Sequence, residues 1–525
     1  PLDEIINKYN GQFINQLIEK FCNLDKEFLE DTSNYIYNKI YVPKEECLVK
    51  EANLGRSPKQ FTEGTLIIHE TKKTKRYLSL RLLFKQAFRS LTNLHPCIMM
   101  SPASAAKYLP KRTDIFDVLI IDEASQMKPE QALSLIARCK QFIIVGDQCQ
   151  LPPSTRFEID YNNLHYYNEE SDTENSESIL ELADKVIGFR NNLSLAWHYR
   201  SRHRSLIDFS NSNFYKSNLT ILSSNEIDSK VIYKYVENSD YLNGINFPEA
   251  KIVIKSLMEQ INLDKNKSII IATMNQSQAE VLTAELEKKR LINNKLNNYI
   301  SKFENTLDRL EVKKLEDIQG DERDIVIIST VYGPDKEGKI MQNFGDINSI
   351  CGHRRLNVLF SRAKHKIILV SSLKSIDIKH SKNEGPQVLK KYLECVEQKQ
   401  YCEVNINPID KEEKIFAKAI ELSLLEKGYE IDSQIGGGEN IIDLAIKHPK
   451  FKNKYILGIK CDGDKNYEFY SARSNYRLQK EVMEDKGWKI IRIWSADWFS
   501  DPIYQLNKIE NLIKNILNDQ IIKSY

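Results

Sequence analysis

Five short apolar runs, separated by stretches with helical spacing, constrain the fold of this chain most strongly. They lie at 115–121, 141–145, 268–272, 325–329 and 366–370. Buried parallel strands have this near-continuous apolar character because helices cover both faces of their sheet. The pattern therefore predicts an α/β fold with two parallel sheets of the doubly wound type.

Length and composition bound the remaining possibilities. The 525 residues are enough for about three to five domains. A formal net charge of +2 excludes a strongly basic tail and an acidic solvating chain, although a local basic channel stays possible. No apolar run approaches the roughly 18 residues that span a bilayer, so we expect no membrane partner. The nine cysteines form no Cys-x-x-Cys pair, which predicts reduced thiols in a cytoplasmic protein.

A pair of acids directly follows the first apolar run. Asp122 and Glu123 come after Val-Leu-Ile-Ile, at the carboxyl edge of a predicted strand, where open α/β sheets bind ligands. In a nucleotide hydrolase one such acid holds the water shell of Mg²⁺ and the next polarises the attacking water. Asp-Glu is also common at solvated strand ends, so the pair alone leaves that alternative open.

A second polar segment follows the next apolar run. Gly146 and Asp147 begin it, and Gln150 precedes Leu-Pro-Pro. The glycine lets the backbone turn, the prolines fix the exit path, and Gln150 could reach a terminal phosphate or a bound water. Loops after consecutive strands of one sheet converge on one crevice, which makes two unrelated turns the less favoured interpretation.

These two segments, Asp-Glu-Ala-Ser-Gln and Gly-Asp-x-x-Gln-Leu-Pro-Pro, resemble motifs II and III of the superfamily 1 helicases, in the Upf1-like group. Four later segments are similar to further motifs of that family, in the same order: 197–201, 273–278, 319–324 and 354–364. The resemblance extends over roughly residues 93–372. It implies two RecA-like domains that bind ATP with Mg²⁺ and act on nucleic acid.

The resemblance also implies roles for single residues. Asp122 and Glu123 would hold Mg²⁺ and activate water, Gln150 would sense the γ-phosphate, and Arg200 and Arg362 would meet its developing charge. A lone arginine is more often part of a surface salt bridge, so these roles depend on the ordered motif set. The implied nucleotide contacts are Gly146, Asp147, Gln319, Gly320 and Glu322, and the implied contacts to a single strand are Ser101, Ser104, Asn275 and Gln278.

One motif of the family is missing from the sequence. No Gly-x-x-x-x-Gly-Lys-Ser/Thr segment occurs in it, and neither Gly55-Arg56-Ser57 nor the glycines at 436–438 fit. Without that lysine and its cradling amides, the chain alone should bind ATP poorly. The chain begins with Pro1 rather than Met, and we expect the missing loop to lie upstream in a longer polypeptide.

A third group of residues lies near the end of the chain. Asp443 and Asp462 stand in two strand-like runs, where acids at matched strand ends could hold a divalent metal. From these residues alone, an ordinary hairpin with surface acids is favoured. The layout resembles the restriction-endonuclease-like fold, in the subgroup similar to very-short-patch-repair endonucleases, and implies Mg²⁺ at both acids. Lys460 stands where fused relatives carry Glu, and a cation there predicts weak or absent cleavage.

Together these features predict an α/β chain with two RecA-like parallel-sheet domains, a helical insertion and a C-terminal restriction-endonuclease-like α/β domain. The predicted divisions are a helical stalk at 1–92, the rest of the first RecA-like domain at 93–190, the second at 191–375, a linker at 376–408 and the nuclease-like domain at 409–525.

The predicted function is an ATP-dependent helicase or translocase on single-stranded or forked DNA. We expect it in the bacterial cytoplasm, in defence against foreign DNA, beside other defence proteins. The alternative is a nucleic-acid clamp or scaffold with an incomplete motor and an inactive nuclease. A RecA-like regulator of proteins is less favoured, because it would leave the strand-binding motifs and the nuclease-like tail unexplained.

Overall fold

The computed structural model describes residues 11–40, 61–153, 176–188, 191–222, 224–237, 239–398, 415–436, 442–462 and 471–522. The chain divides into two compact units. The larger unit comprises Pro1–Cys22, Cys149–Leu151 and Ser194–Tyr525, and the smaller unit comprises Asn23–Gln148 and Pro152–Leu193. Within the described ranges, no helix combines the length and the apolar character needed to cross a membrane.

In its described residues, the smaller unit is mostly helical and contains one short parallel sheet. Its elements, with the long helix α1 that begins in the larger unit, are α1 (Gly11–Ile40), α2 (Glu63–Thr71), α3 (Leu80–Gln86), α4 (Phe88–Leu94), α5 (Pro102–Tyr108), β1 (Phe116–Ile121), α6 (Pro129–Ile136), β2 (Cys139–Ile144) and α7 (Ile179–Ile187). Strands β1 and β2 pair in parallel, with Ile121 opposite Ile144. The first two apolar runs are therefore neighbouring strands, as predicted.

The two faces of this small sheet differ in burial. Side chains alternate between faces along a strand. Ile121 packs with Ala132 of α6 and Ile179 of α7 on one face. On the other face Ile120 is 65% exposed, and Ile143 beside it is 45% exposed. One apolar face of the β1–β2 sheet is thus uncovered by the described residues.

The next part of the chain forms a domain, residues 194–398, that we call the five-stranded domain. Its elements are β3 (Trp197–His198), α8 (Asp208–Phe214), β4 (Thr220–Ile221), β5 (Val231–Tyr235), β6 (Tyr241–Leu242), β7 (Ile245–Asn246), α9 (Phe247–Leu263), β8 (Ile269–Thr273), α10 (Gln276–Ile292), α11 (Asn294–Phe303), β9 (Glu311–Lys314), β10 (Arg323–Ser329), α12 (Gly352–Phe360), β11 (Ala363–Ser371) and α13 (Glu384–Glu397). The main sheet has the order β5-β11-β10-β8-β9, and all of its neighbours are parallel.

Both faces of the five-stranded sheet are buried, which explains why its strands are continuous apolar runs. Ile270 and Ile328 point into one core, which α12 and α13 cover. Their neighbours Ile271 and Ile327 point into a second core, under α9, α10 and α11. The predicted doubly wound parallel sheet is confirmed for this part of the chain.

Helix α13 lies within the segment predicted to be a linker, but it packs in the core of the five-stranded domain. Leu389 and Leu393 are fully buried, and Tyr392 stacks on Phe360 of α12. The first part of the predicted linker thus belongs to the domain core, because the apolar stripe of α13 completes one face of the sheet. Residues 399–408 lie outside the described ranges.

The described residues between 415 and 522 form a C-terminal domain with a mixed sheet. Its elements are α14 (Ile415–Glu426), β12 (Ile431–Ile435), β13 (Ile442–Lys447), β14 (Tyr455–Asp462), α15 (Gln479–Asp485), β15 (Ile490–Trp494), α16 (Ser495–Ser500) and α17 (Pro502–Ile522). The order is β12-β13-β14-β15, with the first two pairings antiparallel and the last parallel. Helices α14 and α17 cover one face. The start of α1 also contacts this domain, since Gly11 N–H donates to Asp497 at 2.8 Å.

Candidate functional site

The acidic pair lies at the carboxyl end of β1. Asp122 and Glu123 are exposed, and an Asp122 oxygen accepts the Glu123 N–H at 2.9 Å. Glu123 has a φ of +52°, a left-handed conformation that few residues other than glycine adopt. This turn directs the chain sharply away from the strand and leaves both carboxylates in solvent. An exposed Asp at this edge fits the oxygen chemistry that Mg²⁺ prefers.

The glycine-led segment after β2 packs directly against the acidic turn. Ala124 N–H donates to the Val145 carbonyl at 2.9 Å. A Cβ atom on Gly146 would lie 3.0 Å from the Ser125 nitrogen and 3.1 Å from the Ala124 nitrogen. Glycine at this position lets the backbone of the segment lie close to the backbone of Ala124 and Ser125. The sequence predicted a different role, in which Gly146 allows the chain to turn. Asp147, the next residue, is half-buried.

Gln150 and Arg362 are brought together in the larger unit. Arg362 is 2% exposed, and its Nε donates to the Val358 carbonyl at 2.8 Å. Its Nη2 lies 3.3 Å from the Gln150 side-chain oxygen. The segment that carries Gln150 is held by Asn357, which donates to the Cys149 carbonyl at 2.9 Å. Protein groups therefore hold both the Arg362 side chain and the segment that carries Gln150.

Arg200 and Glu322 form a second pair of predicted site residues. Arg200 Nε donates to Glu322 at 2.8 Å, and Arg200 Nη1 donates to the Ser361 carbonyl at 3.2 Å. Lys364 pairs with the other Glu322 oxygen at 2.8 Å. Burial raises the pKa of Glu322, but the hydrogen bonds from Lys364 and Arg200 outweigh it and leave that pKa below its usual value. Glu322 is therefore ionised at neutral pH and holds Arg200 in place.

Gln319 and Gly320 precede this glutamate. Gln319 ends the short 3₁₀ turn at Leu315–Ile318 and is partly buried. Gly320 is exposed and has a φ of +85°, which favours glycine. The two residues form the turn that leads into β10 beside Arg200.

His198 is a site residue that the sequence reasoning did not single out. Its Nε2 accepts the Ser201 N–H at 3.1 Å, which closes the turn around Arg200. Burial lowers the pKa of His198 to about 3, and the positive charges of Arg200 and other nearby cations act in the same direction. The ring is therefore neutral and serves as an acceptor. The sequence feature that could have identified His198 is its position in the matched motif, two residues before Arg200.

The predicted strand-contacting residues occur at two helix starts. Ser101 caps α5, where its oxygen accepts the Ser104 N–H at 3.2 Å, and its side chain is exposed. Asn275 caps α10 by accepting the Gln278 N–H at 2.9 Å. Gln278 is fully buried, and its amide exchanges hydrogen bonds with the backbone of Asn246 at 2.9 and 3.0 Å. In this arrangement Gln278 positions the Asn275 turn and does not face solvent.

The two acids of the C-terminal domain are each engaged by a donor. Asp443 is 9% exposed and accepts the Cys461 N–H at 2.7 Å, and Asp462 pairs with Arg492 at 2.8 Å. Lys460 donates to the Gln479 side chain at 2.7 Å. Among the described residues, no group of three or more His, Cys, Asp or Glu side chains is placed to hold a metal. Asp462 is thus paired with a guanidinium and Asp443 with a backbone N–H, and Lys460 contributes a cation rather than a carboxylate to β14. The described side chains therefore offer few of the oxygen ligands that Mg²⁺ prefers.

Comparisons with protein families match three parts of the chain. Two models described as AAA domain match residues 35–156 and 176–374. A model named REase_MTES_1575 matches residues 416–513. The two AAA matches include the acidic pair, Gln150 and both arginines, and the third covers the mixed sheet of the C-terminal domain.

The relatives include helicases. An uncharacterised ATP-dependent helicase of Mycoplasma genitalium is 28% identical over 464 residues, which cover 82% of this chain and 39% of the relative. The DNA replication ATP-dependent helicase/nuclease DNA2 of Gallus gallus is 25% identical over 301 residues, which cover 55% of this chain and 27% of the relative. The chain thus spans about two fifths of the length of its Mycoplasma relatives.

A solved structure described as the C-terminal domain of a possible DNA helicase from Lactobacillus plantarum also matches. It is 19% identical, with a TM-score of 0.20, and the match covers 33% of this chain and 86% of that one. The ordered motifs, the two AAA matches and the helicase relatives agree with one another. The chain therefore carries Upf1-like superfamily 1 helicase domains followed by a restriction-endonuclease-like domain.

Proposed function

We propose that this chain carries the motor of an ATP-dependent helicase or translocase that acts on single-stranded or forked DNA. The observation that carries the proposal is the buried Arg362 bonded to Gln150, with Arg200 held by Glu322 in the same domain. Arginines fixed in this way can meet charge that develops on a transferred phosphoryl group without reorganising first.

The acidic pair supplies the other part of the proposed chemistry. Asp122 would hold the water shell of Mg²⁺, and Glu123 would orient and polarise the attacking water. When bound, Mg²⁺ would offset the charge of the phosphates. Gln150 would hydrogen-bond to the terminal phosphate, and the two arginines would stabilise the charge that develops on the γ-phosphoryl group as it is transferred to water.

We propose that a phosphate-binding loop outside the 525 residues completes the nucleotide site. The missing Gly-Lys-Ser/Thr segment is one support for this, and the uncovered face of the β1–β2 sheet is another. In a doubly wound sheet that face is buried by a further layer, so Ile120 and Ile143 are expected to be covered in the full-length protein.

The first prediction concerns ATP turnover. The purified 525-residue chain is expected to show no ATP hydrolysis above background, with or without a single-stranded oligonucleotide, because the loop that cradles the phosphates is missing. The full-length protein is expected to hydrolyse ATP and to be stimulated by the oligonucleotide. Colorimetric phosphate release measures both. DNA-stimulated turnover by the 525-residue chain itself would contradict this account.

The nucleic acid would be gripped mainly through its backbone. Ser101, Ser104 and Asn275 are the proposed contacts to phosphates, and Gln278 is proposed to fix the turn that carries Asn275. Neutral hydroxyl and amide groups that bind phosphates position a strand without reading its sequence. DNA is the preferred substrate in this proposal because a nuclease-like domain follows the motor.

We further propose that the C-terminal domain contacts DNA or the motor without cutting. Asp443 and Asp462 already bind protein donors, and Lys460 stands where the family carries a carboxylate. This observation favours the clamp alternative for this domain alone, while the motor keeps its proposed activity. The pairing of the two domains is also the basis on which we propose a cytoplasmic role in defence against foreign DNA, with other defence proteins as partners.

The second prediction tests the nuclease-like site. The chain is expected to nick supercoiled plasmid at background rate with Mg²⁺ or Mn²⁺. Lys460→Glu is expected to raise nicking by about tenfold, a size typical of single changes around a metal site. Asp443→Ala in the Lys460→Glu background should remove the gain. If the unmodified chain nicks plasmid rapidly and Asp443→Ala leaves that rate unchanged, the site is assigned wrongly.

A further inference from the structure

The C-terminal domain packs against the five-stranded domain through the turn at 485–488. Trp488 is 2% exposed and shares one apolar core with Leu222. Gly487 has a φ of +91°, and a Cβ atom there would lie 2.9 Å from the Asn225 side-chain oxygen. A Cβ atom there would require the Asn225 side chain to shift, and the positive φ itself favours glycine, so the two domains are in close contact at this point.

A strand-like contact extends the same interface. Glu226 and Lys454 form an antiparallel bridge, and their side chains pair at 3.3 Å. Beside them the Asn225 carbonyl accepts the Tyr455 N–H at 2.8 Å. The two domains are thus joined by backbone hydrogen bonds as well as by an apolar core.

Lys486 reaches from this turn to the segment that carries Arg200. We call residues 199–202 the arginine segment. Lys486 is 6% exposed, and its Nζ donates to the Ser201 carbonyl at 2.9 Å and to the Leu222 carbonyl at 2.5 Å. Burial lowers its pKa to about 8, so the amine still carries its donor protons at neutral pH. The residue that it holds, Ser201, directly follows Arg200.

Further contacts tie the arginine segment to the same domain. Arg202 pairs with Asp485 at 3.3 Å. Arg200 and Glu322 line a cleft of about 410 Å³, and Glu481 of α15 lines the same cleft. The C-terminal domain thus forms one wall of the space beside Arg200.

We propose that the restriction-endonuclease-like domain holds the arginine segment in place, with Lys486 as a positioning residue for Arg200, so that ATP turnover depends on the docking of this domain. The inference rests on the role proposed above for Arg200. An amine bonded to the Ser201 carbonyl fixes the peptide plane that follows Arg200. Its loss would leave a buried carbonyl unsatisfied and let the segment shift, and misplacement by about 1 Å can cost a large factor in rate.

The test uses steady-state ATP hydrolysis by the full-length protein with a saturating single-stranded oligonucleotide. Lys486→Met keeps the apolar stem and removes the donors, and it is expected to lower kcat about tenfold while KM changes less than about twofold. Lys480→Met is the matched control, because Lys480 lies on α15, the helix that leads into the turn, with 63% of its side chain exposed. It is expected to leave kcat unchanged.

A double-mutant cycle separates positioning from general stability. If Lys486 acts through Arg200, Lys486→Met should have no added effect on kcat in an Arg200→Ala background. Lys486→Arg keeps the charge and the hydrogen-bond donors. This variant is expected to retain at least about half of the wild-type kcat, since only the carbonyl bonds are needed.

Hydrogen–deuterium exchange supplies a readout that works even when turnover is lost. Lys486→Met is expected to raise amide exchange in residues 198–206 and to leave β8, β10 and β11 protected as before. Global loss of protection would indicate a purely structural role and would overturn the inference.

The outcomes distinguish the inference from the function on which it rests. If Arg200→Ala lowers turnover but Lys486→Met leaves kcat unchanged, or adds to Arg200→Ala, the inference is wrong and the proposed motor stands. If Arg200→Ala leaves turnover unchanged, the proposed role of Arg200 is wrong and the inference falls with it.

Discussion

Replacing Arg362 by alanine is expected to lower ATP turnover by the full-length protein about a thousandfold, as is typical for an arginine that meets transition-state charge. The guanidinium is almost fully buried and bonded to Val358, Ser361 and Gln150. It therefore does not have to be ordered when ATP binds, and its whole effect falls on kcat. Phosphate release under saturating ATP and oligonucleotide measures the change.

Two controls accompany this variant. Arg362→Lys keeps the charge but loses the planar fork, so it should recover only a small part of the rate. Arg309→Ala removes a surface arginine with a 60% exposed side chain and should have no effect. Because Arg362 is buried, thermal unfolding is measured in parallel. A folded Arg362→Ala protein with turnover within about threefold of wild type would contradict the assignment.

Glu123→Gln is expected to lower turnover at least about a hundredfold, within the range for loss of a general base. Glutamine has the same size, so the left-handed turn at this position should persist. Asp122 remains to hold Mg²⁺, and for this reason ATP affinity should change little. The expected protein binds nucleotide and oligonucleotide and fails to hydrolyse.

Equilibrium binding of a fluorescent ATP analogue, measured beside phosphate release, checks both halves of that result. Glu130→Gln is the matched control, since Glu130 is an exposed glutamate in the first turn of α6. Loss of nucleotide binding together with turnover would show that Glu123 supports the site structurally. Unchanged turnover would exclude it as the base.

Local patterns in the sequence were sufficient to predict the strands and the polar loops at their ends. The runs at 268–272, 325–329 and 366–370 are strands because both faces of their sheet are covered, and only continuous apolar sequence satisfies two cores. The acidic pair and the Gly146 segment meet because their strands are parallel neighbours. These conclusions require only the alternation of side chains and the direction of the chain.

Other features depend on tertiary contacts that no local pattern encodes. Gln278 is polar and lies in a matched motif, yet its amide is buried against the backbone of Asn246. Asp462 is paired with Arg492 from the neighbouring strand, which only the register of β14 and β15 brings about. Lys486 is one lysine among many in the sequence. Its function emerges only from the turn that carries it to the Ser201 carbonyl.

The most direct test of the central claim is a structure of the full-length protein bound to ADP, aluminium fluoride and Mg²⁺, with a single-stranded oligonucleotide. The account predicts that Asp122 and Glu123 lie beside the metal and the attacking water. Gln150, Arg200 and Arg362 are predicted to contact the aluminium fluoride group that lies next to the same ADP. A nucleotide bound beside the acidic pair, with both arginines still bonded only to protein groups and distant from it, would contradict the account.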